Sequence, residues 1–329
     1  SGATLLLDST STISGAYGVT YGVAPTTAYA GGASAINYNG TVTPSNNYSY
    51  TGLTTVAYGV VQLGAAGSGA NSPLGTVDAG TVVNSGATLD LNGKTLSTAE
   101  ALTINGVGVS STGALRNYTA AATYSGPIVL ASDSTIYSSS NLLLNSASQI
   151  TGNGFALFLG GSATGNEVRS VIATGAGGLT ISGGTWLISS TNTFTGVTNL
   201  NGGTLKYGKV DALDSSSALN VNANGTLDSA GLVIQKSITL AGGTLTNSVA
   251  GGSYSGAITL TAASRLYAQN GPAVTIAGTG ISESGGSQSL TISSVTGSGL
   301  TLFSTANSYT GATTISAGYL RLGAANALG

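Results

Sequence analysis

The chain has 329 residues, with eight Lys or Arg, ten Asp or Glu and a formal charge of −2, so 5% of it is charged against roughly a quarter in an average soluble domain. It contains 52 Gly and no Cys, His or Met, which removes the side chains that do most metal, redox and proton-transfer chemistry near neutral pH. No cofactor and no metal site are expected, and eight scattered cations cannot neutralise a phosphate backbone, which excludes nucleic acid as a main partner.

Mean hydropathy is +0.30, too apolar for a disordered polymer, yet no run approaches the 18 apolar residues of a transmembrane helix. The start, Ser1-Gly2-Ala3-Thr4-Leu5, is neither an initiator Met nor a signal peptide, which predicts a processed product or an excised segment. Absence of Cys fits a bacterial protein exported unfolded, so an extracellular or cell-surface location is expected. Residues 1–47 read as an atypical leader. From Ser9 to Val77 there is no charge, and seven of the 15 Tyr fall in the first 58 positions: Tyr17, Tyr21, Tyr29, Tyr38, Tyr48, Tyr50 and Tyr58. Such a neutral, Tyr-rich stretch predicts a contact surface, because exposed charge is what normally blunts association.

A motif then begins at Ser49-Tyr50-Thr51-Gly52-Leu53-Thr54 and returns without gaps at Thr193-Phe194-Thr195-Gly196-Val197-Thr198 and Ser308-Tyr309-Thr310-Gly311-Ala312-Thr313. Each copy continues into two apolar strands split by Gly59, Gly203 or Gly318. A second repeat holds a constant offset of 130: Gly113, Leu115, Asn117, Tyr124, Gly126, Ile128, Leu130, Ser134 and Tyr137 match Gly243, Leu245, Asn247, Tyr254, Gly256, Ile258, Leu260, Ser264 and Tyr267. The units therefore run 48–191, 192–306 and a truncated third from 307, with unequal lengths that imply insertions.

Alternation of Thr with Ile or Leu sends one side chain inward and the next outward, and a following Gly or Asn permits the left-handed backbone of a sharp corner. Stacked coils of this kind form an all-β, right-handed parallel β-helix, a β-solenoid with irregular coil lengths. At roughly 20 to 25 residues per coil the chain would make a rod of roughly 60 to 80 Å. A β-sandwich or barrel is the alternative, but such folds rarely carry a gapless long-period duplication.

The three motif copies resemble the autotransporter-associated β-strand repeat of Gram-negative passenger domains. Asn307, Tyr309, Thr310, Gly311, Thr313, Ile315, Gly318, Leu320, Leu322 and Ala327-Leu328-Gly329 carry the resemblance most fully, and Asn192, Phe194, Thr195, Gly196, Thr198, Leu200, Gly203, Thr204 and Leu205 carry the second case. The resemblance implies secretion as a β-helical passenger, often in adhesion, aggregation or biofilm formation, and implies no catalysis. The C-terminal translocator barrel of that family has no expected counterpart within these 329 residues.

Catalysis by a glycan-cleaving β-helix would need converging carboxylates. The densest charge is Lys206, Lys209, Asp211 and Asp214, with Asp228 a coil away; Glu167 and Arg169 point to one face of a strand. Both groups are expected to be solvated loops and surface pairs. The expected function is non-enzymatic and structural: self-association head to tail into a fibre or extracellular filament. Contact candidates are Tyr17, Tyr21, Tyr29 and Tyr38, the start Ser1, Gly2, Ala3, Thr4 and Leu5, and the end Leu320, Leu322 and Leu328. The start recurs as Ser85-Gly86-Ala87-Thr88-Leu89, so a second molecule could stack nearly in phase, and contacts that do not close into a ring make filaments. The second reading is an adhesin that binds glycans or another cell surface; the third is a glycan-active enzyme.

Overall fold

The computed structural model describes residues 4–22, 40–96, 98–295 and 299–328. The chain is all-β, a parallel β-solenoid, and it divides into two compact units, Ser1–Gly177 and Gly178–Gly329.

In the first unit one column of parallel strands runs through Thr4–Leu7, Thr41–Pro44, Val60–Gln62, Thr88–Asp90 and Leu115–Asn117 to the far half of Ile128–Ser138 and then Leu157–Gly161. A second runs through Val19–Tyr21, Thr54–Val56, Thr81–Val83, Leu102–Gly106, the near half of Ile128–Ser138, Ile150–Thr151 and Ile172–Ala173. A third face is shorter, with Ala122–Tyr124, Leu142–Leu144 and Asn166–Val168 in register. The leader thus already supplies rungs, since Val19–Tyr21 lies on Thr54–Val56. Between Val60–Gln62 and Thr81–Val83 the 64–80 segment carries an antiparallel hairpin, Asn71–Ser72 against Gly75–Thr76.

The second unit repeats the plan. Leu205, Leu227, Leu245, Leu266 and Ile292 stack in register on five successive rungs, and each is at most 1% exposed. Their outward neighbours Thr204, Thr226, Thr244, Arg265 and Thr291 form the solvent-side column. Burying one Leu is worth about 1.5–3 kcal/mol, so the ladder supplies cohesion without charge. Thr204 lies beside Thr226, Thr226 beside Thr244 and Thr244 beside Arg265, so coils of 22, 18 and 21 residues follow one another and the excess leaves as loops.

The motif has a physical meaning at each position. Tyr50 and Tyr309 are 1% exposed and Phe194 is fully buried; the aromatic ring fills the coil interior. Its hydroxyl meets the Thr four residues on, 2.6 Å from Tyr50 to Thr54 and 2.6 Å from Tyr309 to Thr313. Phe194 has no hydroxyl, and Thr198 bonds Ser216 instead at 3.0 Å. A Cβ on Gly52 or Gly311 would collide with the main chain of the neighbouring coil. The splitting glycines Gly59, Gly203 and Gly318 have φ of 71°, 69° and 88°, the left-handed corner that Gly adopts at no steric cost.

Candidate functional site

The predicted charge cluster grows from the Thr198–Tyr207 strand and the 208–218 loop that follows it. Lys206 Nζ stands 3.5 Å from Asp228 Oδ2 on the next rung, and Lys209 Nζ 3.9 Å from Asp211 Oδ1. Asp211 also accepts a hydrogen bond from Thr191 Oγ1 at 2.9 Å. Asp214 turns elsewhere and, with Ser217, Gln235, Lys236, Thr239 and Thr259, lines a groove of about 560 Å³. The Lys236 ammonium donates to the main-chain oxygens of Asp214, at 3.1 Å, and Ser216. The groove therefore holds a single carboxylate, and its ammonium is engaged by the main chain. That lining can hold polar groups of a ligand but lacks the pair of carboxyls that glycoside hydrolysis uses.

Beside the groove, uncharged polar side chains stack between rungs. Asn220 Nδ2 donates to Asn199 Oδ1 at 2.9 Å and Asn222 Nδ2 to Asn201 Oδ1 at 2.7 Å; Thr259 and Ser282 hydroxyls lie 3.4 Å apart. Glu167 and Arg169 pair at 2.9 Å on the surface of the first unit.

The tyrosine surface divides. Tyr17 is 86% exposed, but Tyr21 is 6% exposed and Tyr48 and Tyr50 1%, so Tyr21 is a core residue and not a contact residue. Strand parity is the reason: Tyr21 lies beside Val56, itself fully buried, and both point inward. Tyr29 and Tyr38, like Ser1, Gly2 and Ala3, lie outside the described residues. Thr4 and Leu5 begin the Thr4–Leu7 strand, and Thr4 falls in one column with Thr41, Val60 and Thr88. The Thr-Leu pair of the recurring stretch, Thr4-Leu5 and Thr88-Leu89, thus lies in the same column both times. Leu322 is 49% and Leu328 45% exposed, Leu320 is half-buried, and Ile315 and Tyr319 are exposed beside them.

Two features escaped the sequence reading. The 130-residue repeat carries a corner network: Asn117 Oδ1 accepts from Gly93 N at 2.9 Å while its amide donates to Ala120, Ser140 and Asn141 carbonyls, and Asn247 Oδ1 accepts from Gly231 N at 2.9 Å while its amide reaches Ala273 O. Fully buried Asp90 pairs with Arg116 at 3.0 Å next to the first network. The second feature is Glu100, a fully buried carboxyl with no sequence signal, since its neighbours come from other coils.

Among the described residues no three of His, Cys, Asp and Glu gather as a metal site, and no helix is long and apolar enough to cross a membrane. No family model, curated protein or solved structure matches this chain.

Proposed function

We propose that the protein is an extracellular structural β-solenoid of the bacterial cell surface, without catalytic activity, that works by associating with copies of itself head to tail into a fibre. The observation that carries this reading is the agreement of rung register with sequence repetition: Thr4 and Thr88 of the two Ser-Gly-Ala-Thr-Leu stretches occupy one strand column. A rung built from one such stretch is a template for stacking on another coil. The Tyr319–Leu322 strand pairs with Leu300–Phe303, and its Tyr319 and Leu322 side chains are 64% and 49% exposed. A further rung would cover them, whether continuing chain or a second copy supplies it. The resemblance of the Tyr-Thr-Gly-x-Thr motif to autotransporter passenger repeats supports the surface location.

Negative-stain electron microscopy with light scattering over a concentration series at neutral pH tests the proposal. Filaments one subunit wide, lost in Tyr319→Lys/Leu322→Asp, are expected. Isolated particles at every concentration would overturn it and favour the second reading, a glycan-binding adhesin. That reading draws on the polar groove at Asp214, Gln235 and Lys236 and the adjacent Asn and Thr columns, and binding to a glycan array lost in Gln235→Ala/Thr239→Ala would support it.

A further inference from the structure

Most of the interior of the first unit is apolar ladder, but polar groups gather around Glu100. Its side chain is fully buried. Oε1 accepts a hydrogen bond from Thr81 Oγ1 at 2.7 Å, and Oε2 has no hydrogen-bond partner. None of the ion pairs among the described residues includes it. The titratable groups facing it from neighbouring coils are phenols: Tyr124, whose hydroxyl donates to the Glu100 main-chain oxygen at 2.6 Å, and Tyr50. Tyr48 stacks on Tyr50 at 6.3 Å, and Tyr21 interacts with Tyr50 from the coil before. Burial pushes the Tyr50 phenol up to about 12 and Tyr124 well above its usual range. None of these groups brings positive charge to the carboxyl.

The 64–80 segment closes over this cluster. Thr54 Oγ1 donates to Leu74 O at 2.6 Å, which leaves the Tyr50 hydroxyl as donor to Thr54. A Cβ on Gly67 would stand 2.8 Å from the Thr98 side chain, one on Gly75 2.6 Å from the Tyr50 ring, and one on Gly80 2.7 Å from Ala101 O. The buried Thr98 hydroxyl, like Glu100 Oε2, has no hydrogen-bond partner. The hairpin inside the segment is tied to the coil stack by the Tyr48–Ser72 bridge.

We propose that Glu100 is a proton-operated latch: protonated, it lets the 64–80 segment close on a neutral core, and ionised, it releases that segment and loosens the coils around it. An unpaired charge in a dry interior is costly, and the available relief is to admit water. Desolvation raises this carboxyl from 4.5 to about 7, opposed in part by the Thr81 hydrogen bond, so the fold holds a proton that the unfolded chain releases. The resulting stabilisation is fully present below about pH 4.5 and is lost as pH rises through about 7. Across that window the folding equilibrium constant falls by about two orders of magnitude. The latch is independent of whether the protein assembles or binds glycans.

The test is a urea unfolding series on the full chain at pH 5, 6, 7 and 8.5, with cleavage by a broad-specificity protease mapped by mass spectrometry. The native chain should lose stability toward pH 8.5 and become cleavable within 64–80, whereas Glu100→Gln should show a flat profile and stay protected. Glu283→Gln is the control: Glu283 is solvated, and hydrogen bonds from Thr310 and Gln288 hold it below the usual carboxylate range, so it titrates outside the window. A native slope that persists in Glu100→Gln, or no slope at all in the native chain, overturns the latch. If Glu100→Gln does not fold, infrared spectroscopy of the native chain decides. A protonated-carboxyl band that survives at pH 6 and vanishes by pH 8.5 supports the proposal, and full ionisation at pH 5 refutes it.

Discussion

The coils at 113–137 and 243–267 are built on the same plan, and they differ in what lies beneath their tyrosines. In both, a buried Ser turns its hydroxyl back to the previous rung, Ser134 to Ile104 O at 3.1 Å and Ser264 to Leu240 O at 3.2 Å. In both, a buried Tyr reaches main-chain carbonyls, Tyr124 that of Glu100 and Tyr254 those of Leu227 and Thr246. Each tyrosine has a buried carboxylate near it, Glu100 for Tyr124 and Asp228 for Tyr254, but Asp228 pairs with Lys206 at 3.5 Å whereas none of the ion pairs among the described residues includes Glu100. Equivalent scaffolds therefore accept different interiors: the rung geometry is held by backbone pairing and corner bonds, which leaves the polar content of the core free to vary.

The largest effect that would break this equivalence comes from removing the rings. Tyr124→Ala and Tyr254→Ala should each cost about 3–5 kcal/mol in urea unfolding at pH 5, where Glu100 is neutral. A large disparity there would mean that the two coils are not the same module. Next come the corner amides: Asn117→Ala and Asn247→Ala should each cost about 1–3 kcal/mol by leaving buried main-chain donors and acceptors unpaired, with Asn117 the costlier because its amide serves three carbonyls. Tyr50→Phe and Tyr309→Phe remove only a hydroxyl, and about 0.5–1.5 kcal/mol is expected. The Tyr50 change should also alter the pH profile of the first unit, because that phenol neighbours Glu100, while the Tyr309 change should not. Smallest is Arg169→Ala, which breaks an exposed pair with Glu167; its unfolding midpoint should match that of the native chain, since such pairs contribute little.

Much of the solenoid was legible in residue order. The Thr-x-Leu alternation states strand parity, and Gly59, Gly203 and Gly318 state where the chain turns, because both signals depend on single-residue sterics. The Asn117 and Asn247 corner was visible as a repeat but not as a network, since its partners at Gly93 and Ser140, or Gly231 and Ala273, lie on other coils. Tyr21 shows the limit from the other side. Charge-free composition made it a surface candidate, and only its pairing with Val56 turns it inward.

By itself, then, the sequence determined the fold class, the corner positions and the scarcity of ionisable side chains, because these follow from local sterics, period-two patterning and composition. Only the tertiary structure decided which polar residues meet: Asp90 with Arg116, Asn199 with Asn220, and Glu100 with Thr81 and Tyr124. The physical reason is that neighbours in a solenoid are one coil apart. Coil lengths vary with every insertion, so a contact across rungs has no fixed spacing along the chain.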